Sequence, residues 1–369
     1  LTNMDELVGS LRDEGIHVLS HCDAEPLLLT FAAELNRIRV RDHTAQDVGA
    51  AVKALFARVR GGFTVAAVMR VDGCETLVAF RDPHGIRPGV YGQREDGAWI
   101  VASESVTLDV LDARPVMQLP AGEVMLFRAG EAPVRVPVQV AEPRPCVFER
   151  IYFARPDSVM EDGRVNRARW RMGRLLAEEW AERGLEADLV VAVPDTSRPA
   201  AMAIAEALEL PNREGFIKNR YSGRTFIMPD QSTRDAALRL KLNPIREMFE
   251  GNRVLLVDDS IVRGSTMKRI VRLLRTLDPL AIHLAIFSPP VKHPCFYGID
   301  MPSEEELIAS RMDHEALATH LGADSVTHLS IDGLKAINGA DICDACFTGA
   351  YTIPVSKAQR DQINAMRRP

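Results

Sequence analysis

The stretch V-L-L-V-D-D-S-I-V-R-G-S-T, Val254 to Thr266, decides how this chain is read. Four apolar residues in a row are the pattern of a strand buried on both faces. They run directly into two adjacent carboxylates, Asp258 and Asp259, then a short loop with Gly264, then hydroxyls at the start of a helical pattern. Glycine tolerates backbone conformations and close approaches that other residues do not. Backbone N–H groups at a helix start, with the Ser265 and Thr266 hydroxyls beside them, suit a phosphate. The acids sit where a strand ends, in reach of ribose hydroxyls or a hydrated Mg²⁺. The spacing is neither G-x-x-x-x-G-K-[ST] nor G-x-G-x-x-G. The plain alternative is a strand-to-helix turn with capping hydroxyls and solvated acids.

Outward from this loop the rhythm is strand–helix–strand. Helical spacing runs over 165–183, 199–208 and 267–277; apolar runs mark strands at 188–193, 215–218, 253–257 and 281–287. Such alternation predicts a parallel sheet covered on both faces, with ligands at the carboxyl ends of its strands. The first part reads differently. Helical spacing over 24–38 and 48–59 gives way to alternating strands at 63–69, 76–80 and 98–102, and to a strand pair over 115–127, the order of an α+β layer unit. The Pro-rich stretch 128–145 reads as a linker. The expected domains are 1–130, a linker at 131–145, 146–354, and a basic, polar tail at 355–369.

Composition narrows the classes. The 369 residues carry 45 Lys+Arg against 51 Asp+Glu, a net charge of −6 that disfavours non-specific nucleic-acid binding. No apolar run approaches the ~20 residues of a membrane helix. Six cysteines are too sparse for a disulfide scaffold, so the expected compartment is the reducing cytoplasm, where paired cysteines suggest metal or redox work. Cys343-x-x-Cys346 by itself leaves zinc, redox and iron–sulfur chemistry open. Cys22 and Cys74 read as buried small side chains. Six basic residues (Lys218, Arg220, Arg224, Arg234, Arg239 and Lys241) crowd 218–241 of an acidic chain, and Tyr221 and Phe226 among them argue against a purely solvated loop. Converging basic groups can bind pyrophosphate as its Mg²⁺ complex.

Val254–Thr266 resembles the phosphoribosyl-pyrophosphate (PRPP) loop of type I phosphoribosyltransferases. Further strings are similar to the glutamine PRPP amidotransferase family: C-V-F-E-R-I-Y-F-A-R-P-D-S (146–158), V-P-D-T-S (193–197), K-N-R-Y-S-G-R-T-F-I-M-P (218–229), K-L-N-P (241–244), C-F-Y-G-I-D-M-P (295–302) and C-D-A-C-F-T-G (343–349). The resemblance covers nearly the whole chain in order. It implies an α+β N-terminal-nucleophile-hydrolase-like glutaminase domain, truncated here, followed by an α/β phosphoribosyltransferase domain with a mainly parallel sheet. The implied reaction opens de novo purine synthesis: PRPP, glutamine and water give 5-phosphoribosylamine, glutamate and pyrophosphate. By resemblance, Asp258, Asp259, Ser260, Arg263, Gly264, Ser265 and Thr266 bind PRPP. Thr196 joins Asp258 and Asp259 around Mg²⁺, although Thr196 could instead cap the helix starting near Pro199. Lys218, Tyr221, Arg224 and Lys241 form the lid and ammonia path. Cys146, Cys295, Cys343 and Cys346 match the ligands of a 4Fe-4S cluster that ties the C-terminal segment to the core, with zinc as the alternative. P-D-T-S and F-I-M-P-D-Q are closer to the family's cluster-free branch. Purine nucleotides as feedback inhibitors and a homotetramer are further implications.

In the first half, Asp23 of S-H-C-D-A-E (20–25) stands where the family binds the glutamine α-amino group; its plain alternative is a helix N-cap. R-D-P-H-G-I-R-P (81–88) and A-S-E-S (102–105) match family strings and are expected to serve folding and domain contact. The family nucleophile is a cysteine at the mature N-terminus, but residue 1 here is Leu, and the match begins after the oxyanion-hole string. The expectation is a truncated form of a complete enzyme that, as written, transfers from ammonia alone, with a natural chain whose glutaminase half is degenerate as the alternative. Two other readings remain: a transferase that uses a nucleobase, and a PRPP- or nucleotide-sensing homologue without chemistry.

Overall fold

The computed structural model describes residues 1–139, 141–161, 163–218 and 242–366. The buried run of the second half becomes the centre of a five-stranded, all-parallel sheet. Its spatial order is Asn212–Arg213, Leu189–Ala192, Arg253–Asp258, Ala281–Ile286, Ser325–His328. Side chains alternate along the central strand. Val254 and Leu256 enter the core beneath helices Ser265–Arg275 and His314–Leu321, while Leu255 and Val257 enter the core beneath Val165–Ala181 and Arg198–Ala207. Both faces are therefore dry, which is why the strand reads as a continuous apolar run. The outer strands, at 212–213 and 325–328, carry too little apolar sequence to be read in advance.

The helix Val165–Ala181 packs on Arg198–Ala207 closely enough that a Cβ on Gly173 would lie 2.4 Å from the Ala200 carbonyl oxygen. This contact matters for the site, because the second helix begins directly after Thr196 and Ser197.

In the first half, four antiparallel strands run in the order Thr64–Val71, Cys74–Arg81, Glu123–Phe127, Val134–Pro137. Asp72 and Gly73 both have positive φ, 52° and 78°, the geometry a two-residue hairpin needs. Helices Ala24–Ile38 and Ala45–Arg58 cover one face of this sheet, and Thr44 and Asp47 form a reciprocal capping box at the second. A three-stranded sheet, Trp99–Ala102, Val90–Gln93, Arg114–Gln118, packs on the other face through Tyr91, Trp99 and Phe127.

Three expectations need correction. The strands within 115–127 are not a pair: Arg114–Gln118 joins one sheet and Glu123–Phe127 the other. The stretch read as a linker contains a strand, Val134–Pro137, because its alternating valines fit the open edge beside Glu123–Phe127. Cys22 and Cys74 are exposed, since the first lies in the turn before a helix and the second opens a hairpin strand.

The family strings at the seam do make contacts across it. Buried Arg81 donates to the carbonyls of Gly85, Arg87 and Leu119 and meets Glu161 at 3.1 Å; Arg87 pairs with Glu149 at 2.8 Å. Glu104 accepts from the Arg155 N–H at 2.8 Å and the Ser158 hydroxyl at 2.6 Å.

Gly173→Ala should force the two helices apart and lower stability by about 1–3 kcal/mol. A urea midpoint equal to wild type would show that the helices part without cost.

Candidate functional site

The central strand delivers Asp258, half-buried, and Asp259, 6% exposed, side by side at its carboxyl end. The Asp259 N–H donates to the Asp258 carboxylate at 2.9 Å. The Ser260 hydroxyl donates to Asp259 at 2.5 Å, and the Thr196 hydroxyl donates to its other oxygen. Thr196 comes from the loop after the neighbouring strand, so two parallel strands bring these groups together. Thr196 does not cap the helix: Ser197 holds the N-cap position, and the Thr196 hydroxyl donates to Asp259.

Burial pushes the pKa of Asp258 well up, and the neighbouring Asp259 charge adds to it. Burial also raises Asp259, against the Ser260 and Thr196 hydrogen bonds and the field of Arg169. A metal-free pair of this kind retains protons above the ordinary carboxylate range.

After the acids the chain turns at Gly264, φ 73°, in the left-handed region. A Cβ there would sit 2.9 Å from Ile308 Cδ1, so the turn requires glycine on two counts. Ser265 and Thr266 open the helix with their side chains exposed, and no side chain caps it. Its first N–H groups are thus offered to solvent or to an anion. Arg263 belongs to this loop by its backbone, but its guanidinium is turned to Glu306 at 3.1 Å.

Lys218 ends a short strand, Phe216–Lys218, paired antiparallel with Leu242–Pro244, and its ammonium bonds to Asp195 beside Thr196. Tyr221, Arg224 and Lys241 lie outside the described residues, as do Arg220, Arg234 and Arg239. Asp23 holds the N-cap position of Ala24–Ile38 without making a capping bond; its exposed carboxylate accepts from the Leu1 ammonium at 2.8 Å.

Cys146, Cys295, Cys343 and Cys346 are all buried in one core cluster and form no disulfide. Cys146 and Cys343 lie on adjacent extended segments: the Val147 N–H donates to the Cys343 carbonyl at 3.2 Å and the Cys343 N–H to Pro145 at 2.9 Å. The Tyr297 N–H donates to Cys295 Sγ at 3.3 Å. Burial, then the field of the other thiols, pushes up the Cys146 and Cys346 pKa values; burial foremost takes Cys343 to about 12. Thiols in this state ionise readily only if a cation replaces the lost water. Among the described residues, no group of three or more His, Cys, Asp or Glu is placed to hold a metal ion.

Compared with known proteins, residues 168–294 match the phosphoribosyl transferase domain and residues 1–110 the glutamine amidotransferase domain. The amidophosphoribosyltransferase of Pseudomonas aeruginosa is 41% identical, over 100% of this chain and 75% of its own length. That of Synechocystis is 39% identical over 98% of this chain and 71% of its own. The chain belongs to the amidophosphoribosyltransferase family. The solved glutamine PRPP amidotransferase from B. subtilis, complexed with ADP and GMP, superimposes with a TM-score of 0.84 at 37% identity, over 97% of this chain and 76% of that one. A second structure, described as the allosteric regulatory enzyme of purine biosynthesis, gives 0.84 at 36%, over 97% and 75%. The α+β glutaminase-type unit followed by an α/β phosphoribosyltransferase unit is thus the fold of this chain, and the chain is a phosphoribosyltransferase with a glutamine amidotransferase domain.

Sequence reading missed Arg169 and Asp195. Arg169 had a signal: it falls on the buried stripe Val165, Arg169, Met172, Gly173, Leu176, Trp180, where a cation is out of place. Asp195 had one too, its place in the family string V-P-D-T-S (193–197).

The raised carboxylate pKa values have a signed consequence. The folded chain holds protons that the unfolded chain has released, so the pair's contribution to stability falls as pH rises through that window. Asp258→Asn should therefore raise the metal-free unfolding free energy near neutral pH by about 1–2 kcal/mol, with little gain near pH ~4. Calorimetry across this range would contradict the account if the gain were absent or larger in acid.

Proposed function

We propose that this chain carries out the phosphoribosyl-transfer step of amidophosphoribosyltransferase, the entry to de novo purine synthesis, with ammonia as nucleophile. The observation that carries this is Thr196 joined to Asp259 beyond two adjacent parallel strands, directly before the Gly264 turn and an uncapped helix N-terminus. Backbone N–H groups of the loop from Arg263 to Thr266, with the two hydroxyls, hold the PRPP 5′-phosphate. Asp258 and Asp259 hold the ribose hydroxyls and, with Thr196, Mg²⁺. Two carboxylates and a hydroxyl suit Mg²⁺, which keeps waters and substrate phosphates as its other ligands and does not need a full protein cage. When bound, Mg²⁺ neutralises charge on the departing pyrophosphate. Ammonia attacks C1 of the ribose as the C1–oxygen bond to pyrophosphate breaks, with inversion. Free ammonia needs no general base to attack. Catalysis is positioning and charge neutralisation.

Lys218, Tyr221, Arg224 and Lys241 close over the substrate and exclude water from the ribosyl centre. Lys218 lies on the stem of that segment, and its bond to Asp195 leaves it beside the loop that carries Thr196. Asp23 binds the glutamine α-ammonium. Purine nucleotides compete at the PRPP site, in line with the ADP and GMP complex of the B. subtilis relative. A cytoplasmic homotetramer completes the reading.

Cys146, Cys295, Cys343 and Cys346 hold a 4Fe-4S cluster. Burial of all four thiols in one core cluster, with none in a disulfide, supports this. The cluster binds the 343–349 segment to the core and takes no part in transfer.

Two measurements test the proposal. Phosphoribosylamine formation from PRPP, Mg²⁺ and ammonia should be readily detected and fall at least about 100-fold in Asp259→Asn. A folded chain that binds PRPP without turning it over would favour the sensor reading. Anaerobically purified chain should contain about four iron and four sulfide, lost in Cys346→Ser. One zinc per chain instead would overturn the cluster assignment.

A further inference from the structure

Arg263 is the one basic residue between Asp258 and Thr266. Its Nε donates to Glu306 Oε1 at 3.1 Å, with 55% of the Arg263 side chain exposed and 39% of the Glu306 side chain. A pair so open to water adds little to stability on its own. Its place gives it another use. Glu306 closes a single 3₁₀ turn, Glu304–Glu306, capped by the buried Ser303. The Glu306 N–H donates to the Ser303 carbonyl at 3.0 Å, and the other Glu306 carboxylate oxygen accepts from the Ser303 N–H and hydroxyl, both at 3.4 Å. Leu307 and Ile308, which follow, are buried. The carboxylate that receives Arg263 is therefore fixed to the core.

Two further contacts join the same two segments. The Ile308 N–H donates to the Val262 carbonyl at 3.1 Å. Ile308 Cδ1 packs so near Gly264 that a Cβ there would lie 2.9 Å away. Ile308 thus holds the residues on either side of Arg263, and Glu306 holds Arg263 between them. Segment 303–308 braces three successive loop residues, 262 to 264, directly before the uncapped start of helix Ser265–Arg275. The first N–H groups of that helix serve an anion best when the turn before them is already in shape. Glycine at 264 leaves that shape loosely set by the chain itself, so a brace from outside has work to do.

We propose that Glu306 is a positioning residue for the 5′-phosphate of the substrate: by anchoring Arg263 it holds the 262–264 turn in the form that presents the N–H groups of the helix start. This rests on the functional reading given above. Glu306 touches no reacting atom. Arg263 serves the phosphate as an anchored part of the loop, not as a cation that swings onto it.

The test is calorimetric titration of the full chain with ribose 5-phosphate and, separately, with Mg²⁺-pyrophosphate, for wild type, Glu306→Gln, Arg263→Ala and the double variant, each checked by circular dichroism. Glutamine also serves at the third position of a capping box, so Glu306→Gln keeps the 3₁₀ turn and removes the charge that holds Arg263. It should weaken ribose 5-phosphate about fivefold, the upper range for a partly exposed ion pair, and leave Mg²⁺-pyrophosphate within about twofold. Arg263→Ala should weaken ribose 5-phosphate by a similar factor, and the double variant no further, since both changes break one bond. A Glu306→Gln chain that binds ribose 5-phosphate as wild type does overturns the inference. So does one in which both ligands weaken together, the mark of a merely structural role. Tighter ribose 5-phosphate binding in Glu306→Gln, lost again in the double variant, would show that Glu306 restrains a cation destined for the phosphate, and overturns it too. Wild type that binds Mg²⁺-pyrophosphate but not ribose 5-phosphate overturns this inference alone; wild type that binds neither sinks the functional reading with it.

Discussion

Two carboxylates stand at the end of one buried strand, and their mutual repulsion in a poorly hydrated place is the constraint on which the rest of the site depends. Such a pair persists only if other parts of the fold hold it. The strand itself cannot move, because its side chains are committed to cores on both faces. Hydroxyls from Thr196 and Ser260 and the Asp258–Asp259 backbone bond take up the oxygens. With no cation beside it, the pair lowers the stability of the fold as pH rises.

The same logic runs through the seam between the two halves. Glu104, from the first half, holds the backbone at Arg155 and the Ser158 hydroxyl. The turn just before, at 150–154, is held by Arg169 from the second half. Arg87 and Glu149 pair across the same seam, close to Cys146. The strings 81–88, 102–105 and 146–158, far apart in sequence, are parts of one joint. Arg81 and Glu149 are buried in this joint, and the bonds from Arg81 to Glu161, Arg87 to Glu149 and Ser158 to Glu104 cross it.

The cysteines follow a different principle. Nothing in their local sequence brings Cys146 beside Cys343; the pairing comes from two extended segments meeting after the chain has wound through the whole parallel sheet. Burial foremost raises the pKa of these thiols, so they stay protonated and neutral near pH ~7 and pack as small apolar side chains.

By itself the sequence determined the strand–helix alternation, because burial on both faces forces continuous apolar runs and helices force a 3.6-residue period. It also marked the turn at 264, where a left-handed φ favours glycine. The family strings suggested further candidate residues by likeness. Tertiary structure alone decided which groups face the acids. Thr196 reads equally as a helix cap until the neighbouring strand sets it against Asp259. Arg169 reads as one more arginine in a basic helix until packing buries it. The valines at 134–137 read as linker until an open sheet edge pairs them. In each case the local sequence allows two outcomes of similar energy, and a long-range contact, invisible to any short window, selects one.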